Sequence, residues 1–264
     1  MTEAAKVVRD RAGTSPVSAA LVLGSGLSGI GDLLSDRVAI PYSDLEGFPG
    51  GGVSGHGRDL LVGTLGGKRI AVLTGREHYY EHGNAAAMRP ALETMADLGA
   101  GTILLTNSAG SLDQAIRPGD LMMIADHINY AGMNPLIGEP SDRRFVNMVN
   151  AYDPSLRSQA QSIGARLDIT LKEGIYLWYS GPSFETVAEI QMAIRLGATA
   201  VGMSTAPEVI LARMLGLRVW ACSSITNMGA GLSDEKISHE HTKTMAVQGA
   251  EKLRKLIPAL LEAI

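Results

Sequence analysis

The stretch from Gly174 to Glu208 limits most strongly what this chain can fold into. Gly174-Ile175-Tyr176-Leu177-Trp178-Tyr179 is a β-branched and aromatic run, which predicts a buried strand. Gly181-Pro182-Ser183 is a turn signal that ends it. Thr186 with Glu189 fits a capping box, and Val187, Ile190, Ile194 and Leu196 then follow helical spacing as far as Gly197. Thr199 to Gly202 reads as a second strand. Ser204-Thr205 opens another helix, with Pro207 in its first turn, where a missing N–H costs nothing. Both loops leave the carboxyl ends of strands, where open α/β sheets bind ligands. Phe184, Glu185, Met203 and Ser204 therefore share one rim. The plainer alternative makes Glu185 and Ser204 helix caps and Phe184 and Met203 core.

A length of 264 residues allows one large α/β domain or two small ones, and 45% hydrophobic residues is ample for a packed core. A net charge of −4 gives no electrostatic footprint for nucleic acid. The single cysteine, Cys222, lies in an apolar run, which predicts no disulfide framework and a reducing cytoplasm. No apolar run reaches the length of a membrane span, and the N-terminal residues lack the apolar segment of a signal peptide. Without repeats, low-complexity tracts or a linker, residues 1–264 read as one domain.

Upstream, Ser18 to Leu23 predicts a strand running into Gly24-Ser25-Gly26-Leu27-Ser28-Gly29, a G-x-G-x-x-G loop. Its backbone N–H groups and the helix expected after it suit a phosphate or a dinucleotide pyrophosphate. Asp44 stands about where a ribose-binding acid would sit in a dinucleotide fold. No later segment reads as a hydride-transfer site. Gly66-Gly67 predicts a hairpin between strands at Arg58–Gly63 and Lys68–Leu73.

His78-Tyr79-Tyr80-Glu81-His82 is formally H-x-x-E-H, an inverted zinc-protease motif. That chemistry needs both histidines one turn apart on a helix. Glycines flank the motif, and the helical pattern of Ala85, Met88, Leu92, Met95 and Leu98 starts only after Asn84, its expected cap. No metal site is therefore expected. Thr102 to Thr106 predicts a strand ending in a small-residue loop, Asn107-Ser108-Ala109-Gly110-Ser111. Residues 127–152 predict a long ordered loop of the functional or interfacial kind.

GPSFETVAE followed by VGMSTAPE closely resembles the trimeric class of purine nucleoside phosphorylases. Further blocks in the same order strengthen the resemblance: the glycine loop at Gly24, the segment around Arg76, His78 and Tyr80, residues 107–111, Phe145 and its neighbours, and Thr226-Asn227. Ser108 and Ser111 depart from the family's usual residues, but the Ser108 backbone N–H survives that change. The resemblance implies a single α/β domain, with a central mixed β-sheet flanked by helices in the nucleoside phosphorylase fold. It also implies a homotrimer without metal or organic cofactor, in which inorganic phosphate is a co-substrate.

The site residues it implies fall into two groups. Ser25, His56, Arg76, His78, Ser108 and Ser204 would bind phosphate. Tyr80, Phe145, Phe184, Glu185, Met203, Asn227 and His239 would bind the nucleoside, with Phe145 reaching in from a neighbouring subunit and His241 an alternative to His239. Asn227, Glu185 and His78 would carry the catalytic roles. A carboxylate at Glu185 only accepts hydrogen bonds, which suits the N1–H of hypoxanthine or guanine and opposes the bare N1 of adenine. The expected activity is phosphorolysis of 6-oxopurine nucleosides. A methylthioadenosine-type phosphorylase and a non-catalytic purine-binding module are the rival readings.

Overall fold

The computed structural model describes residues 1–50, 57–234 and 239–264, with the side chains of Ser28 and residues 239–244 outside the description. Among the described residues, nine strands form one mixed sheet: β1 (Ala19–Val22), β2 (Ser35–Pro41), β3 (Asp59–Leu65), β4 (Lys68–Leu73), β5 (Thr102–Ser111), β6 (Leu121–Asn129), β7 (Leu171–Trp178), β8 (Ala200–Gly202) and β9 (Arg218–Met228). Their order is β2-β3-β4-β1-β5-β8-β7-β6-β9, and β5 also pairs with β9. That extra pairing closes β5, β8, β7, β6 and β9 into a ring. β1 runs parallel to both β4 and β5, whereas β8 meets β5 antiparallel.

Among the described residues, seven α-helices surround the sheet: α1 (Glu3–Ala12), α2 (Tyr79–His82), α3 (Arg89–Asp97), α4 (Pro154–Arg166), α5 (Val187–Arg195), α6 (Ala206–Met214) and α7 (His239–Ala263). The period-2 alternation of β1 shows how both faces are covered. Ala20 and Val22 pack into the core shared with Ala5, Leu92, Met95 and Val209 of α1, α3 and α6. Ala19 and Leu21 pack into the opposite core, with Leu156 and Ile163 of α4 and Leu253, Leu256 and Leu260 of α7. Among the described residues, no helix is long and apolar enough to cross a membrane.

The structure corrects several local expectations. The glycine loop leads into a short 3-10 helix, Ser28–Leu33, and not into an α-helix whose N-terminus could hold a pyrophosphate. Asp44 is exposed and paired with Arg11, far from the role of a ribose-binding acid. β2 went unpredicted because, as an outer strand, it buries only Ile40 fully and carries no apolar alternation. α3 begins at Arg89, next to Pro90, and Asn84 instead accepts from the Ala86 N–H in a turn. On α5 the capping box forms as expected, but Ile190 and Ala193 are the buried residues, while Val187, Ile194 and Leu196 are exposed. Residues 107–111 are no loop: they continue β5, because β8 and β9 pair with it past a bulge between Ala109 and Gly110.

Candidate active site

A pocket of about 290 Å³ opens where β1, β4, β7, β8 and β9 end and along the outer half of β5. Ten of the residues singled out in the sequence line it: Ser25, Arg76, His78, Tyr80, Ser108, Phe184, Glu185, Met203, Ser204 and Asn227. Phe145 does not; it is 77% exposed and stacks on its neighbour Arg144. His56 lies outside the described residues, as do the side chains of His239 and His241.

One side of the pocket is rich in donors. Gly24 presses against the Thr106–Asn107 peptide so closely that a Cβ would stand 2.8 Å from the Asn107 Cα. This contact brings the Ser25 loop onto β5, where the Ser108 hydroxyl donates to the Ser25 carbonyl. Arg76 is almost wholly buried; its Nη1 donates to Thr205 Oγ1 at 3.0 Å and to Glu208 Oε1 at 2.9 Å, and its Nη2 donates to the Thr106 carbonyl. Three of five N–H donors are thus engaged, and Nε has no partner among the described residues. The guanidinium is therefore fixed in place before any anion arrives.

His78 caps α2, a single turn. Its Nδ1 lies 3.2 Å from Glu81 Oε1, which also accepts the His78 backbone N–H at 2.7 Å. Its ring stacks on Tyr80, with centroids 4.8 Å apart. A carboxylate on one ring nitrogen fixes how the imidazole faces the pocket. The extended backbone at His78 also means that H-x-x-E-H does not form the helical face a zinc protease needs.

The other side combines an acceptor with a donor. Burial raises the Glu185 carboxyl above its ordinary value, although the side chain still faces the pocket. Thr186, and not Glu185, caps α5; Thr205, and not Ser204, stands at the N-cap of α6. Helix capping is thus set aside for both pocket residues. The Asn227 amide is oriented by its neighbours: Thr226 Oγ1 donates to Asn227 Oδ1 at 3.0 Å, and Asn227 Nδ2 donates to the Met228 carbonyl at 2.9 Å. One N–H of Nδ2 remains to serve the pocket. Gly110 makes room, since a Cβ there would meet Asn227 Nδ2 at 2.9 Å.

The sequence reading missed the layer beneath these residues: Asn107, Tyr176, Thr205 and Glu208. One signal was available. The α6 sequence is apolar on nearly every side, so its single carboxylate, Glu208, had to be buried and therefore paired.

A family model described as the phosphorylase superfamily matches residues 18–262. The chain is 39% identical over 266 residues to "Purine nucleoside phosphorylase 1" of Geobacillus stearothermophilus, covering 99% of this chain and 95% of that one. Among solved structures, it resembles the Schistosoma mansoni purine nucleoside phosphorylase in complex with inosine, with a TM-score of 0.92, 32% identity and coverage of 99% and 95%. The same protein in complex with adenosine gives a TM-score of 0.91, 31% identity and coverage of 99% and 96%.

Proposed function

Because the chain belongs to the purine nucleoside phosphorylases of the phosphorylase superfamily, we propose that it cleaves 6-oxopurine nucleosides with inorganic phosphate. Inosine, guanosine and their 2′-deoxy forms would yield free base and (deoxy)ribose 1-phosphate. The observation that supports this reading is that the donor-rich group of Ser25, Arg76, His78, Ser108 and Ser204 and the Glu185–Asn227 pair line one and the same pocket.

Phosphate sits on the donor side, held by Ser25, Arg76, His78, Ser204 and the Ser108 amide through charge-assisted hydrogen bonds. A phosphate oxygen forms the new bond to C1′ as the C1′–N9 bond breaks, and the electron pair leaves with the purine. The sugar passes through a cationic, oxocarbenium-like state beside the phosphate negative charge. The base gains negative charge, and the free N–H of Asn227 donates to N7 and stabilises it. Glu185 accepts from N1–H. Met203 packs on the ribose, Tyr80 lines the nucleoside, and Phe184 covers the base. Phosphate is itself the nucleophile, so the chemistry calls for no metal or organic cofactor.

The exposed apolar side chains of residues 127–152, Ile137, Phe145 and Val149 above all, support a homotrimer in which Phe145 completes a neighbour's site. Cys222, buried and unpaired, agrees with a reducing cytoplasm.

The test is ultraviolet detection of base release from inosine, guanosine and adenosine, with and without phosphate. Phosphate-dependent release from the first two alone is the expected result. Release from adenosine or methylthioadenosine would overturn the specificity, release without phosphate the phosphorolysis, and no release at all would leave a purine-binding protein.

A further inference from the structure

We propose that Thr205 is a positioning residue that makes Ser204 an obligate hydrogen-bond donor to phosphate; this rests on phosphate occupying the donor side of the pocket. Thr205 is fully buried and has φ 72° and ψ −50°. A β-branched residue occupies that region only when its surroundings hold it there. Here the Ala206 N–H, donating to the Ser204 carbonyl at 2.8 Å, closes the turn, and the Thr205 hydroxyl ties it to its neighbours. Thr205 Oγ1 lies 3.0 Å from Arg76 Nη1, 2.9 Å from Asn107 Nδ2 and 3.1 Å from Ser204 Oγ.

A hydroxyl has two lone pairs and one proton. The guanidinium and the amide NH₂ can only donate, so they take both lone pairs. The Thr205 proton therefore goes to Ser204 Oγ. Reversing the Asn107 amide would leave its NH₂, in place of Oδ1, without a partner, so two donors would be stranded instead of one acceptor. Ser204 is tied down through its backbone as well, its N–H donating to the Tyr176 hydroxyl at 3.2 Å. The Tyr176 hydroxyl is paired with the Ser204 side chain too, and no other acceptor for its proton is found among the described residues; with Thr205 and Tyr176 both donating to Ser204 Oγ, the Ser204 proton is left for the pocket side. The same Thr205 oxygen is one of the three acceptors that fix Arg76, so one hydroxyl touches two phosphate donors.

The experiment compares phosphate and inosine KM for the wild type, Thr205→Val, Thr205→Ser, Ser204→Ala and the valine–alanine double variant, with a melting temperature for each. Thr205→Val should raise the phosphate KM by about tenfold or more, the worth of one hydrogen bond to a charged group. It should change the inosine KM by no more than about threefold, and Thr205→Ser should restore wild-type behaviour. The double variant should fall well short of the product of the single effects. Thr205→Ala removes the same hydroxyl and replaces the valine should that variant not fold. Equal behaviour of the serine and valine variants, or fully multiplicative effects, would overturn the proposal. A wild type that shows no phosphate dependence would instead overturn the functional reading beneath it.

Discussion

Arg76 Nη1 and Glu208 Oε1 meet at 2.9 Å with side chains only 1% and 4% exposed. The donor side of the pocket is thus built on a cation already neutralised by a buried anion in the first turn of α6. Removing one member of such a pair leaves an unpaired charge in the interior, which costs roughly 3–5 kcal/mol. Glu208→Ala should therefore lower stability by about that amount in thermal or denaturant unfolding, whereas Glu208→Gln, which keeps an acceptor, should cost clearly less. Equal losses would mean that shape, and not charge, matters at this position.

Asn227 is held as a donor by Thr226, and in the proposed reaction it serves the departing base. Asn227→Ala should lower kcat by about 10²–10³, the usual effect of deleting one donor to a developing anion. Thr226→Val keeps the amide but frees its orientation, so a smaller fall in kcat is expected. Steady-state kinetics with saturating phosphate would measure both. A loss confined to KM would place Asn227 in ground-state binding alone.

Glu185 gives the site a pH dependence with a definite sign. Burial raises its folded-state value, so between the unfolded and folded values the native protein holds a proton that the unfolded chain has lost. Its contribution to stability is complete below the unfolded value and is lost as pH rises through the folded value. Catalysis runs the other way. Protonation removes the acceptor for N1–H, so kcat/KM for inosine should fall as pH drops through the raised value. Glu185→Gln should abolish that acid limb and narrow the preference for inosine over adenosine. A limb unchanged in the glutamine variant would assign it to another group.

Much of this site could be read from the sequence because strand ends are easy to recognise. Buried runs such as Ile103–Leu105 and Tyr176–Trp178 announce strands, and the residues after them face the sheet's carboxyl edge. What stayed hidden depends on pairing between distant segments. The extension of β5 through Asn107–Ser111 depends on β9, more than 100 residues away, and small polar residues gave no sign of it. Exposure misled in the opposite direction on α5. Val187 and Ile194 match a helical stripe, yet that face is exposed, and a narrow contact through Ile190 and Ala193 suffices. The Arg76–Thr205–Glu208 network joins residues about 130 apart, so only the folded chain reveals it.

Phe145 supplies the test of assembly. Its ring is 77% exposed and absent from its own chain's pocket, which suits a residue that covers the nucleoside of a neighbouring subunit. Phe145→Ala should raise the inosine KM by about tenfold, in line with the loss of one aromatic contact and its buried area. Mixing then separates a neighbour's contribution from a local one. Subunits carrying Phe145→Ala keep Asn227, and subunits carrying Asn227→Ala keep Phe145. In a co-assembled trimer, some sites draw the intact residue from each. Co-expressed variants should therefore show activity at low inosine above the average of the two separate preparations, and sedimentation should report a mass near three chains. If mixing yields only the average, Phe145 does not act across a subunit boundary.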